Sequence, residues 1–254
     1  MAGSDPGVPR RPRAAAVVLA GGSGTRMGAE LDGVPVNKVH LPLAGRPVLA
    51  WSLRTALRVP SVTRVVLVIR AEDAGTTRRL LDAEHLTGAV QVVIGGVNRQ
   101  DSELAALDVL ADAAGNGDID VIAIHDGARP LAGAALWTRV IETADRVGGA
   151  IPGLPAPDVV PLPGPGVVPL DQDPPAEPLV GVQTPQAFRA GPLVEAYRAA
   201  RSAGFAGTDT SSTVEEHGDL IVEVVPGGRH NLKITYPGDV PVAERLIGND
   251  AAIG

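Results

Sequence analysis

Four apolar runs, each followed by a segment of helical periodicity, fill residues 14–147. They predict strand Ala14–Ala20 and helix Pro47–Leu57, strand Arg64–Ile69 and helix Asp73–His85, strand Ala89–Ile94 and helix Asp101–Ala113, then strand Ile119–His125 and helix Ala132–Val147. Repeated strand–helix units bury both faces of their strands only if the strands lie largely parallel with helices above and below, giving a three-layer α/β fold. Ligands of such sheets sit at the carboxyl ends of the strands, so Gly21–Arg26, Gly95–Ser102 and Asp126–Arg129 should share one rim. A chain of 254 residues suffices for one substantial core, and residues 14–250 are expected to form a single domain behind a disordered tail, residues 1–13.

After Val147 the texture changes. "GGAIPGLPAPDVVPLPGPGVVPLDQDPPAEP" is rich in Pro and Gly, which argues against a helix or a central strand and predicts a protruding arm at about residues 151–180. Val147 through Phe188 contains no Lys or Arg. Order returns with helix Pro192–Ser202, the polar stretch "GTDTSSTVEEHG", strand Leu220–Val225, "NLKIT" and a closing helix near Val240–Ile247.

Charge and composition narrow the partners. A net charge of −7 argues against nucleic acid or an anionic membrane as the main partner, and 2% aromatic residues leave little for base stacking. The chain has no cysteine, so thiolate catalysis, Cys-ligated metals and disulfides are excluded, which fits a reducing cytoplasm. "MAGSDPGVPRRPR" before "AAAVVLA" mimics a secretory signal, but cleavage there would destroy the glycine-rich stretch that follows. No apolar stretch approaches the roughly 20 residues of a membrane span.

That stretch, "GGSGTRMG" at 21–28, ends the first strand in three closely spaced glycines and an arginine. Glycines let the main chain approach a ligand, and a helix start offers free N–H groups to an anion, so the loop suits a phosphate. It is neither a dinucleotide fingerprint, since Met27 stands where the third glycine belongs, nor a P-loop, since Gly24 precedes Thr25-Arg26 rather than Lys-Ser/Thr. It resembles the signature loop of nucleotidyltransferases. With "GGVNRQDS" at 95–102, "IHDGARP" at 124–130, "VQTPQAF" at 182–188, "GTDTSSTVEEHG" at 207–218 and "NLKIT" at 231–235, the chain is similar from about residue 14 to 247 to the 2-C-methyl-D-erythritol 4-phosphate cytidylyltransferases.

The resemblance implies a nucleotide-binding fold that transfers CMP from CTP to a polyol phosphate, releases pyrophosphate and uses Mg²⁺. It gives Arg26, Lys38 and Lys233 the catalytic task of binding the triphosphate and its transition state. Nucleotide binding falls to Ala20, Gly21, Gly22, Gly24, Gly95, Gly96, Arg99 and Ser102. Asp126 is the expected Mg²⁺ ligand, although an aspartate there also reads as a helix cap. Arg129 and Thr208 are expected to hold the acceptor. The family's arm forms a homodimer in which Arg129 serves the neighbouring site; a monomeric lid is the other reading of such an arm.

Four features depart from the family pattern. Val159 stands at the threonine position of the arm, the arm arginine expected before "VQTPQAF" falls within "DQDPPAEP", the usual Pro-Lys pair reads Asn37-Lys38, and "GAELDGVPVN" lengthens the loop before that lysine. These keep open a different acceptor, such as ribitol 5-phosphate, and a nucleotide-binding paralogue without catalysis.

Overall fold

A computed structural model describes residues 10–22, 28, 30–31, 34–156, 179–205, 207 and 209–249. The chain runs through β1 (Ala14–Leu19), the mutually paired β2 (Glu30–Leu31) and β3 (Val34–Pro35), the similarly paired β4 (Pro42–Leu43) and β5 (Arg46–Pro47), and α1 (Val48–Arg58). β6 (Val62–Ile69), α2 (Ala74–Ala83), β7 (Gln91–Ile94), α3 (Arg99–Gly115), β8 (Val121–Asp126) and α4 (Ala134–Val147) complete the alternating half. β9 (Gly148–Pro155), β10 (Val180–Val182), β11 (Gln186–Arg189), α5 (Ala190–Ala203), α6 (Thr210–His217), β12 (Ile221–Pro226) and α7 (Asp239–Asn249) follow.

The predicted largely parallel sheet is present. β7, β6, β1 and β8 lie side by side and parallel. β11 joins β8 antiparallel, β9 joins β11, and β12 and β10 pair with β9. The apolar run of β1 serves both faces: Ala14, Ala16 and Val18 pack with α1, α2 and α4, while Ala15 and Val17 pack with α3, α5 and α6. A strand buried on both sides therefore reads as continuous apolar sequence, not as alternation. A third cluster, containing Leu43, Leu131, Ile234 and Ala243, seats α7 and the "NLKIT" segment.

The chain leaves β1 on one side, towards β6 and β7, and returns on the other as β8. The two directions part at the carboxyl ends of β1 and β8, where Leu19 is paired with Asp126. A crevice opens at such a switch point because successive loops diverge from it.

The sequence expectation fails at β9. "GGAIPGLP" is an interior strand with β12 on one flank and β11 and β10 on the other. Its glycines are packing requirements: a Cβ on Gly149 would lie 2.8 Å from Phe188 Cδ1, and one on Gly153 2.7 Å from Val224 Cγ1. Pro152 gives up only its N–H, and its carbonyl still accepts from the Gln183 N–H at 2.8 Å. Residues 151–155 and 180 of the expected arm thus belong to the sheet, and 157–178, including Val159, lie outside the described residues. No helix among the described residues is long and apolar enough to cross a membrane.

Candidate active site

At the switch point lies a cavity of about 770 Å³. Its main-chain wall comes from the end of β1 (Ala20, Gly21, Gly22) and from Gly95 and Gly96 after β7. Gly95 tolerates no side chain, since a Cβ would stand 2.7 Å from Ser102 Oγ and 2.9 Å from Val68 Cγ1. Asn98 caps α3 by accepting the Asp101 N–H at 2.8 Å, and Ser102 Oγ donates to the Asn98 carbonyl at 2.8 Å. The start of α3 is thereby fixed beside the cavity, and Arg99 in its first turn reaches in.

Lys38 and Lys233, far apart in sequence, both line this cavity. Lys38 opens a short 3₁₀ turn, Lys38–His40, capped by Asn37. The Asn37 Nδ2 donates to the Ala20 carbonyl at 2.7 Å and to Asp73 Oδ2 at 3.0 Å, so the buried asparagine ties the lysine turn to the end of β1. Lys233 is placed by alternation: Leu232 and Ile234 turn into the α7 cluster, and the Ile234 N–H reaches the Ala128 carbonyl at 2.8 Å, leaving Lys233 and Thr235 facing the cavity.

Three cations converge on Asp126 at the end of β8. Arg99 meets Oδ1 at 2.7 Å, Lys233 meets Oδ2 at 2.8 Å, and Arg129 Nε stands 3.6 Å from Oδ2. Burial would raise the Asp126 carboxyl, but Arg99 and Lys233 outweigh it and hold the group well below the usual carboxylate range. Arg129 is itself lowered by burial despite Asp126, and its other end donates to the Asn231 carbonyl at 2.8 Å. Its guanidinium thus lies between Asp126 and the Asn231 carbonyl of its own chain.

Backbone at this point is held by a hydrogen-bonded chain. The Asp126 N–H donates to Thr184 Oγ1 at 3.0 Å, and that hydroxyl lies 3.0 Å from His125 Nδ1. His125 Nε2 lies 3.1 Å from the Arg129 carbonyl, a pure acceptor, so the ring carries its proton on Nε2 and accepts at Nδ1. Burial pushes this histidine down to about 4, and the neutral ring packs 5.0 Å from Trp137.

Arg26, Gly24 and Thr208 lie outside the described residues. The other nucleotide-binding candidates, Lys38, Lys233 and Asp126 all border the one cavity, with Arg129 touching it through Asp126. Sequence reasoning missed the buried Glu103, whose signal was a charge four residues after Arg99, and Thr184 and Asn231, polar residues within motifs already singled out. It also missed Asn37's bridging role.

A glycine-walled cavity at the switch point of a parallel sheet, with cations converging on the Asp126 carboxylate at its border, belongs to a nucleotidyltransferase. Residues 14–249 match the family model of IspD, 2-C-methyl-D-erythritol 4-phosphate cytidylyltransferase, and the chain belongs to that family. The family's enzyme from Solibacter usitatus is 38% identical over 94% of this chain and 98% of its own. Among solved structures, 4-diphosphocytidyl-2C-methyl-D-erythritol synthase from Anaerococcus prevotii superposes with a TM-score of 0.74 at 25% identity, covering 93% of this chain and 96% of that one. The 2-C-methyl-D-erythritol 4-phosphate cytidylyltransferase from Thermus thermophilus gives 0.66 at 29% identity, covering 91% and 98%.

Proposed function

We propose that the chain joins CMP from CTP to 2-C-methyl-D-erythritol 4-phosphate with release of pyrophosphate, a step of isoprenoid precursor synthesis, in the cytoplasm and as a homodimer. The observation that carries the mechanism is the convergence of Arg99, Arg129 and Lys233 on Asp126 beside a wall of main chain.

An acceptor phosphate monoester is already an oxyanion at neutral pH, its second pKa being near 6, so no general base is needed. Its oxygen attacks the α-phosphorus of CTP; the new O–P bond forms as the bond to the bridging oxygen breaks, and pyrophosphate departs with the electron pair. The barrier is repulsion between polyanions and the negative charge gathered at phosphorus, which positioned cations lower. Lys38 and Lys233 supply them from two sides of the cavity, with Arg26 expected from the glycine loop. One such pair at 4 Å is worth about 4 kcal/mol at an effective dielectric of 20. The pyrimidine lies against Gly21, Gly95 and Gly96, where carbonyls can accept from its exocyclic amine. The Ala20 carbonyl already takes one bond from Asn37 and offers its second lone pair. Arg129 and Thr208 hold the acceptor phosphate.

Asp126 suits Mg²⁺ that arrives with the nucleotide. It is ionised and beside the cavity, and no group of three or more metal-binding side chains gathers among the described residues. One or two carboxylates are what Mg²⁺ uses when phosphates and water complete its shell. When bound, the ion would neutralise phosphate charge and align the triphosphate.

A second reading, transfer to another polyol phosphate, is favoured by Val159 and the arginine-free arm. Pyrophosphate release measured with CTP, Mg²⁺ and a panel including 2-C-methyl-D-erythritol 4-phosphate and ribitol 5-phosphate decides between them. Turnover of the first supports the proposal. Turnover of another acceptor alone selects the second reading, and CTP binding without release from any acceptor overturns both.

A further inference from the structure

The next turn of α3 after Arg99 holds a charge that the chemistry above does not use. Glu103 is buried among the apolar residues by which α3 packs on the sheet, its side chain 1% exposed. Three donors satisfy it: Arg99 Nε reaches Oε1 at 2.8 Å, Thr210 Oγ1 reaches Oε1 at 3.0 Å, and the Tyr197 hydroxyl donates to Oε2. Burial pushes the Glu103 carboxyl up, but Arg99, Tyr197 and Thr210 all donate to it and pull it back, so with a guanidinium on Oε1 Glu103 acts as a carboxylate. A buried carboxylate costs several kcal/mol in desolvation, and an apolar residue would pack this position more cheaply, so its retention calls for a task beyond stability.

Its partners indicate that task. Arg99 is suspended between two carboxylates, Nε on Glu103 and Nη1 on Asp126, which leaves its guanidinium plane little freedom. Thr210 is the first residue of α6, directly after the segment expected to meet the acceptor. Gln100, beside Arg99, grips the same region: its Nε2 donates to the Phe205 carbonyl at 2.6 Å and its Oε1 accepts the Gly207 N–H at 2.6 Å. The nucleotide-side helix and the acceptor-side segment are thus clamped together by side chains of one α3 turn.

We propose that Glu103 is a positioning residue: it presets the Arg99 guanidinium in the nucleotide cavity and, through Thr210, links that placement to the acceptor-side segment. The proposal rests on the functional reading above. Charge-assisted hydrogen bonds are the strong ones, and a planar fork held at Nε is already oriented before a ligand arrives.

The test is a double-mutant cycle on the full chain. Glu103→Gln keeps the shape and removes the charge; Arg99→Lys keeps the charge and removes Nε. Glu103→Gln is expected to raise the KM for CTP about 10-fold while kcat stays within about 3-fold. In the Arg99→Lys background the same change should add nothing, because the two act as a unit. Melting temperatures are taken for each variant, and Glu103→Leu, which fills the site without a charge, must give the same rise in KM. An unchanged KM in folded Glu103→Gln or Glu103→Leu overturns the proposal. So does a loss that multiplies with Arg99→Lys, which marks a purely structural role. Titration calorimetry of the wild type with Mg·CTP separates the two levels: no binding sinks the functional reading and the proposal with it, whereas binding with unaltered variants sinks the proposal alone.

Discussion

β8 carries an aspartate at each end, and both attract arginine, yet they do different things. Asp120, just before the strand, meets Arg10 and Arg13, which are 66% and 41% exposed. Asp126, which ends the strand, meets Arg99 from α3, Arg129 from its own loop and Lys233 from the segment before α7. The first cluster joins only the chain before β1 to the start of β8, and its arginines lie in water. The second draws three separate elements together in a buried place, where each contact is strong and the loss of one partner strands the others. Convergence at the carboxyl end, and not the presence of ion pairs, sets apart the end of the strand proposed to be functional.

Asp126→Asn should break that contrast most violently. It leaves cations facing one another and removes the proposed Mg²⁺ ligand, so kcat is expected to fall by at least about 10³-fold and stability by about 3 kcal/mol. Steady-state pyrophosphate release and urea unfolding measure the two. Turnover near the wild-type value would erase the distinction between the two ends.

Lys233→Ala sharpens it. The side chain is 36% exposed and its backbone is anchored by Ile234, so the fold should hold while kcat drops by roughly 10²–10³-fold. A variant with normal kcat and a lowered melting temperature would make Lys233 a counter-ion to Asp126 only.

Much of this architecture is readable before any coordinates. β1 and β8 are short unbroken apolar runs, the helices between them show regular periodicity, and Lys233 is exposed to the cavity by a simple alternation with Leu232 and Ile234. What escaped reading depends on contacts across distance. The glycines of β9 exist because Phe188 and Val224 pack where side chains would project, and both come from strands later in the chain. Glu103 looks like a solvated helical charge until α5 and α6 bring Tyr197 and Thr210 against it. Asn37 broke the expected Pro-Lys pair, and only the fold shows it binding the Ala20 carbonyl.

Asp120→Asn should have the smallest effect. Asp120 Oδ2 accepts the Arg13 N–H at 2.7 Å, and the Arg13 carbonyl accepts the Asp120 N–H at 2.7 Å, which fastens the chain just before β1 to the start of β8. Burial would raise this carboxyl, but the bonds from the Arg13 side chain and backbone and from Arg10 outweigh it and pull the group down to about 2. A carboxyl whose folded pKa lies below its unfolded value of about 3.9 stabilises the protein fully above that pH and loses the contribution as pH falls towards 2. With such exposed partners the contribution is about 1 kcal/mol, or roughly 2–4 °C in melting temperature for a chain of this size. The variant should therefore melt slightly below the wild type at pH 7 with kcat unchanged, and the gap in unfolding free energy should close between pH 4 and pH 2. A gap that persists unchanged through that window means that Asp120 acts by shape and not by charge, and a fall in kcat to rival Lys233→Ala means that the two ends of the strand are not separate.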